Sequence, residues 1–476
     1  IDVVHYLFYV VHAKGQDVKY LASLMIVLAA ANCGGGKKKA AMWWMALLGN
    51  QTAQTAETTS SAGDSVTTTN NDQTGTTGFS FQTTTTVPVS VTVADSNGPV
   101  QGAVVQVQDP SAANTVIFQA VTNETGQASG TFTVDNTVTE VTLVVDAGGN
   151  VVTQPVNTTN LVTCDRDVDY PGDVTISSGG DQDGDGITDA NDAYPSDPTR
   201  ATKVTIPGSG QSIIAYEDLY PSPGDADFND YVVKVSNEED LNAAGKVVRL
   251  RGSYTHIARG AGYTHQLKLT LPAAAGALNY TVKQYSAAGA LESTTTNHYS
   301  NGSGLAILGN SNNTITQSNT SSGQTFTPGK RADIEITFDT PVSQSTLGSA
   351  PFDLYIHVNN TGLDVHFPRM YFDANGKDQY MDTNGFPWAL QIPEAWKWPL
   401  ESDNIENGYP GFRPWYLSSG TTNKDWYSSA VSSHVFNASS LFAYLKSPAS
   451  WMILGLIAAI AVIGLALAMI QRRRAA

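Results

Sequence analysis

From residue 87 onward, apolar and polar residues take turns along the chain. In VPVSVTV, the residues Val87, Val89, Val91 and Val93 share one face if the segment is extended, because successive side chains of a strand point to opposite sides. GAVVQVQ, SGTFTV and TEVTLVV repeat the pattern, and the turn-forming runs DSNGP, TNETGQ and DAGGN separate them. Short strands divided by frequent turns specify a β-sandwich. After residue 200 the alternation resumes in KVVRLR, HQLKLTL, NYTVKQY, ADIEITFD, FDLYIHV and LDVHF, with no long helical period among them. The expected fold class is all-β. It comprises a sandwich over 87–162, a connector over 163–200 and a larger, jelly-roll-like sandwich over 201–435.

Hydrophobic residues make up 41% of the 476, enough for real cores, and acids outnumber bases 43 to 26 for a net charge of −17. That balance argues against nucleic acid as a partner, which needs basic patches. It suits a surface protein or one that collects cations. The two cysteines, Cys33 and Cys164, allow no disulfide framework. Residues 57–86 are mostly Thr, Ser, Gln, Asn and Gly, too polar to offset the entropy of ordering. They read as a flexible stalk or, given threonine's strand preference, as a strand donated to another copy.

Both ends look like export and anchoring segments. WMILGLIAAIAVIGLALAMI (451–470) is long enough for a transmembrane helix, with the arginines of QRRRAA on the cytoplasmic side and 436–450 as its linker. Near the start, LASLMIVLAAANC (21–33) looks like a lipoprotein signal ending at Cys33, while KKKAAMWWMALLGNQTAQTA (37–56) reads as a secretory signal peptide. Either way the region 1–56 exports the bulk of the chain.

Between the two expected sandwiches lies DQDGDGITDAND (181–192). Asp181, Asp183, Asp185, Asp189 and Asp192 crowd together in a chain with only 14% charged residues. Their repulsion asks for a compensating cation, and their spacing is that of a calcium-binding loop. Asp181, Asp183 and Asp185 bring three carboxylates to one side of a tight turn, and Gly186 permits the bend. Ile187 would supply a backbone carbonyl, Asp189 would bind directly or through water, and Asp192 would close the sphere. All-oxygen ligands favour Ca2+ over Zn2+.

A second acidic group, Glu217, Asp218, Asp225, Asp227, Asn229 and Asp230, stands at the mouth of an apolar strand in IIAYEDLYPSPGDADFNDYVVKV (213–235). It is a second candidate Ca2+ site, against the plainer reading that Asp and Asn cap turns there. Asp373, Asn375, Asp378 and Asp382 are expected to form Asx turns. The histidines His256, His265, His298, His357 and His366 lack metal-ligand spacing and read as ordinary sheet residues. Trp388, Trp396, Trp398, Trp415 and Trp426 cluster late in the chain among prolines and apolar residues, as core candidates, with stacking on glycans as the alternative.

Three resemblances bear on these readings. NGPVQGAVVQVQD together with TNETGQASGTFTV is similar to immunoglobulin-like or transthyretin-like modules of bacterial surface proteins. The aspartate loop looks like a thrombospondin type 3 or dockerin-like calcium repeat. DGDGITDANDAYPSDPTRA, AYEDLYPSPGDADFNDYVVKV and PWALQIPEAWKWPLESDNIENGYPGF, with DWY at 425–427, closely resemble the LruC domain of bacterial secreted and surface proteins. That likeness implies an exported, calcium-binding, β-rich domain without a defined activity. A carboxylate pair such as Glu217 and Asp225 would serve a polysaccharide hydrolase only at a fixed separation. Calcium accounts for the same acids, and no enzyme is expected. The expectation is a calcium-stiffened protein of the cell surface or matrix, self-associating into filaments by strand addition. Surface glycans are the alternative partner, and the C-terminal helix reaches the membrane unless it is removed.

Overall fold

A computed structural model of the chain describes residues 66–75, 79–176, 179–260, 262–299, 304–324 and 326–437. The expected export region, Cys33, the expected span and most of its linker lie outside the described residues. Among the described residues no helix is long and apolar enough to cross a membrane.

Among the described residues the regular structure is β apart from a few short helical turns. Strand Thr84–Asp95 carries VPVSVTV, and its four valines are buried. They belong to one core with Val105, Val107, Phe118, Phe132, Leu143 and Val145, between two sheets. The first sheet orders Thr67–Asn70, Leu161–Asp169, Thr84–Asp95 and Gly98–Pro99, with Gln73–Thr74 and Gln127–Asp135 paired alongside. The second runs Thr115–Val121, Val104–Asp109, Glu140–Ala147, Asn150–Asn157.

This sandwich overruns the expected 87–162 at both ends. Thr67–Asn70, expected as stalk or donated strand, pairs antiparallel with Leu161–Asp169 of its own chain. Arg166 is 3% exposed, pairs with Asp72 and donates to Asn70 Oδ1 at 2.7 Å. Leu161–Asp169, much of it assigned to the connector, pairs in parallel with Thr84–Asp95 inside the sheet. Distant pairing supplies the backbone partners that a polar threonine run cannot find locally.

The second unit opposes sheets of unequal size. The large one orders Leu291–Tyr299, Leu278–Tyr285, Arg331–Val342, Val247–Ala258, Tyr231–Leu241, Ser212–Tyr216 and Ala389–Pro393, with Thr202–Ile206 on the edge of Tyr231–Leu241. The small one orders Leu305–Leu308, His265–Thr270, Asp353–Val358 and Leu363–Val365. Eight strands over four correct the jelly-roll expectation of two matched sheets. The physical reason is that part of the large sheet is covered on both faces. Ile214, Val233 and Val235 pack on Leu267, Leu354 and Ile356 of the small sheet. Ile213, Ala215 and Val232 point the other way, under an irregular cap over 394–436 that brings in Trp396, Tyr409, Phe412 and Trp415. Ser212–Tyr216 is consequently buried at every position.

Residues 79–83, also expected as stalk, clasp this second unit. Gln82 bridges in parallel to Gln391, Thr83 N donates to Gln391 O and Gln391 N to Phe81 O, each at 3.2 Å. Phe81 is 1% exposed, and the rings of Phe79 and Phe81 lie 4.9 and 6.1 Å from that of Trp415. The two units also meet at Gln344, whose Oε1 accepts from Thr131 N at 2.9 Å and whose Nε2 donates to Glu239 Oε2 at 2.7 Å.

Two candidate metal centres

The aspartate loop is wound by its own amides. Asp181 accepts from Gly184 N at 2.7 Å and from Gly186 N at 3.0 Å. Asp183 accepts from Asp185 N at 3.2 Å, and Asp185 from Ile187 N at 2.8 Å. Gly186 has φ +97°, which only glycine adopts freely. The result gathers one oxygen from each of Asp181, Asp183 and Asp185 within 4.8 Å. Asp183 Oδ2, Asp185 Oδ2 and Asp192 Oδ2 are buried with no hydrogen-bond partner among the described residues. Burial pushes the carboxyls of Asp185 and Asp192 upward, and the neighbouring aspartates push them further.

Asp189 is outside the convergent three but braces the same loop, its Oδ1 accepting from Gln182 N at 2.8 Å and its N donating to Gly180 O at 2.7 Å. Ile187 is buried and lines a cleft against the first sandwich with Val104, Val121 and Ile176. The C-terminal end of the loop is tied to both units. Gln119 Nε2 of the first sandwich donates to Asn191 O at 2.7 Å. On the other side Tyr194 hydrogen-bonds Asp240, Arg200 stacks 4.3 Å over the Tyr194 ring, and Arg251 reaches Asp240 at 3.1 Å.

The second group follows from strand register. Tyr216 pairs with Tyr231, so Glu217 and Asp218, just past one strand, lie beside Asn229 and Asp230, just before the other. Glu217, Asp218, Asp227 and Asn229 are 1% exposed or less, and Asp230 is 4% exposed. Oxygens of Glu217, Asp227 and Asp230 converge within 4.8 Å. Backbone amides provide part of the compensation. Phe228 N donates to Glu217, Asp218 N to Asp230 at 2.9 Å, and Asn229 N and Ser402 N to Asp227 at 3.1 and 2.8 Å. Asp218 Oδ2 turns aside to His265 Nε2 at 2.9 Å. Asp225 is exposed at the rim and does not join the buried set.

Unit charges at this separation repel by roughly 3–4 kcal/mol per pair at an effective dielectric near 20. Three such pairs approach the whole stability of a typical domain, about 5–15 kcal/mol. The fully ionised cluster therefore needs a cation or protons. Burial lifts Glu217 and Asp230 well above the carboxylate range, with mutual repulsion adding to it, and lifts Asp227 to about 7. Glu217 Oε2 and Asn229 Oδ1 are buried without a partner among the described residues. The donor set is carboxylate and carboxamide oxygen, which suits a hard divalent cation.

The other expectations divide. Asp373 accepts from Asn375 N and Lys377 N, and Asp382 from Asn384 N and Phe386 N, as Asx turns do. Trp388, Trp396, Trp398, Trp415 and Trp426 are 4, 2, 6, 1 and 2% exposed, which is the core packing expected of them and leaves these rings no face for stacking on glycans. His265, read as an ordinary sheet residue, is the side chain that holds Asp218. No local spacing signals this, because the two lie 47 residues apart. Cys164 is buried, and its thiol is pushed up to about 11 by desolvation and then by Asp165.

Residues 245–427 match a family described as "Domain of unknown function (DUF4842)". No curated protein matches the chain. Among solved structures, a chain described as "Putative lipoprotein from Bacteroides ovatus" aligns at 13% identity and TM-score 0.42, over 63% of this chain and 91% of that one. A chain described as "pT26-6p" aligns at 10% identity and TM-score 0.11, over 63% of this chain and 64% of that one.

Proposed function

We propose that this is an exported structural protein whose two β-units are held in fixed relation by Ca2+. The observation that carries the reading is the aspartate loop with its three unpartnered buried carboxylate oxygens, tied to the first sandwich through Asn191 and to the large sheet through Tyr194 and Arg200. An ion there neutralises the crowded charge and stiffens a connector anchored to both units. The acid cluster between Glu217 and Asp230 is the second Ca2+ site of the reading. Export and membrane attachment rest on the sequences 37–56 and 451–470.

The test is calorimetric titration of the metal-free chain with Ca2+, together with a thermal melt. Binding to the folded state alone raises its stability in proportion to the logarithm of ligand excess, so saturating Ca2+ should raise Tm by several degrees. No heat of binding and an unchanged melt in millimolar Ca2+ would end the reading.

Self-association by strand addition also has a specific support, at a place other than the threonine-rich segment. Leu291–Tyr299 is an edge strand exposed along almost its whole length, including Leu291 at 57%. Such an edge is a template for pairing with another copy. Concentration-dependent sedimentation that Thr295→Pro abolishes is the expected result, and a monomer at all concentrations would refute it.

A further inference from the structure

The exposed edge strand Leu291–Tyr299 reads nearly alike from either end. About Thr295, Thr294 mirrors Thr296, Ser293 mirrors Asn297 and Glu292 mirrors His298. Among the described residues its one strand partner is Leu278–Tyr285, and every residue from Leu291 to His298 is exposed. Natural edges are guarded by lysine, proline or a bulge. Residues 292–298 carry neither lysine nor proline. The pairing with Leu278–Tyr285 is regular from Ser293 to Tyr299, and its irregularity falls only where it steps past Glu292 to Leu291. Threonine at three successive positions favours an extended rim.

Antiparallel strands exchange hydrogen bonds at alternate residues. A second copy turned about Thr295 meets each position with one of the same parity, Ser293 with Asn297 and Thr294 with Thr296. The residues whose amides and carbonyls face outward therefore meet one another, whichever alternate set that is. The two ends of the strand also carry complementary chemistry. Glu292 pairs with Lys330 at 2.6 Å, and His298 with Asp339 at 3.0 Å. The turn brings the Glu292–Lys330 end of one copy against the His298–Asp339 end of the other, acid to imidazole and ammonium to acid. Centres at Thr294 or Thr296 would leave Glu292 and His298 facing other residues.

We propose that Leu291–Tyr299 pairs antiparallel with the same strand of a second copy, about a two-fold axis at Thr295, joining two large sheets into one and closing a dimer. The proposal rests on the reading that this edge takes an added strand. It goes further in fixing the partner, the register and the end point. An isologous contact uses the same surface on both copies and is complete once made, so assembly through this edge stops at two copies instead of growing into a filament.

The experiment is sedimentation of the full chain over a concentration series, in detergent because 451–470 is apolar. Wild type should pass from one copy to two and stop there. His298→Glu sets a glutamate against Glu292 of the other copy, twice by symmetry, and should weaken the dimer roughly 2–30-fold. Adding Glu292→Lys to it sets lysine against glutamate and should restore the dimer. The double variant also loses both same-chain pairs, so recovery can come only from across the two copies. These positions are exposed, and the melt of the dilute variants should stay close to wild type. Species that grow past two copies, or a dimer that His298→Glu leaves at full strength, would overturn the two-fold register while strand addition stands. Monomers at every concentration, or association that Thr295→Pro leaves intact, would remove strand addition at this edge and the register with it.

Discussion

Stripping the cations should reverse the usual pH dependence of a carboxylate-rich protein. Asp227 is 1% exposed, and burial, with Asp225 adding repulsion, lifts its carboxyl from 3.8 to about 7. A shift of about three units at about 1.36 kcal/mol each is worth roughly 4 kcal/mol. The sign follows from which state holds the proton. At strongly acid pH both states are protonated and the difference vanishes. As pH rises, the unfolded chain releases its proton first and the folded one pays the burial cost later, so the fold loses stability until pH passes about 7. Glu217 and Asp230 are displaced in the same direction and deepen the effect. At roughly 2–4 °C per kcal/mol for a unit of this size, the metal-free Tm should fall by on the order of 10 °C from about pH 4 to about pH 7. Ca2+ competes with those protons, so its stabilisation should be largest at neutral pH and shrink towards acid. Scanning calorimetry in EDTA and in millimolar Ca2+ across this range is the assay, with Asp227→Asn expected to flatten the metal-free slope. A metal-free Tm that climbs with pH over the same window, or a Ca2+ shift indifferent to pH, would refute the reasoning.

Asp185→Asn removes one of the three convergent loop carboxylates and should cost the chain one Ca2+ equivalent by calorimetry, with faster proteolysis between 170 and 200. Phe81→Ala empties a buried aromatic site against Trp415 and Tyr416 and should destabilise the second unit by about 3–5 kcal/mol in chemical denaturation. Gln344→Ala leaves Thr131 N and the buried Glu239, already pushed up to about 7 by desolvation, without their shared partner. It should cost roughly 2–4 kcal/mol and uncouple the melting of the two units, seen as two calorimetric transitions.

What the sequence makes legible here is what is local. The alternation of Val87 to Val93 needs only its neighbours to declare a strand, and the aspartate loop keeps its carboxylates within a dozen positions. Thr67–Asn70 is illegible because its order comes from Leu161–Asp169, nearly a hundred residues on, and a threonine run carries no apolar face of its own. His265 and the Ser402 amide reach the buried acids only through sheet register and cap docking, so nothing beside them in the chain marks them. The tryptophans were ambiguous for a different reason. Exposed and buried rings share one composition, and the cap over 394–436 that decides between them has no regular period.

The clasp at 79–83 sets an order of assembly. The chain touches the second unit at Phe81, leaves to build the rest of the first sandwich, and returns at Thr202. Phe81 finds Gln391 and Trp415 only after some three hundred further residues have been synthesised. A nascent chain can complete the first sandwich early, as domains generally do, but Phe79 and Phe81 must remain unseated until the last aromatic layer emerges. The joint between the units is therefore sealed from its carboxyl side, and a chain truncated before Ala389 would leave its two aromatic hooks with nowhere to seat.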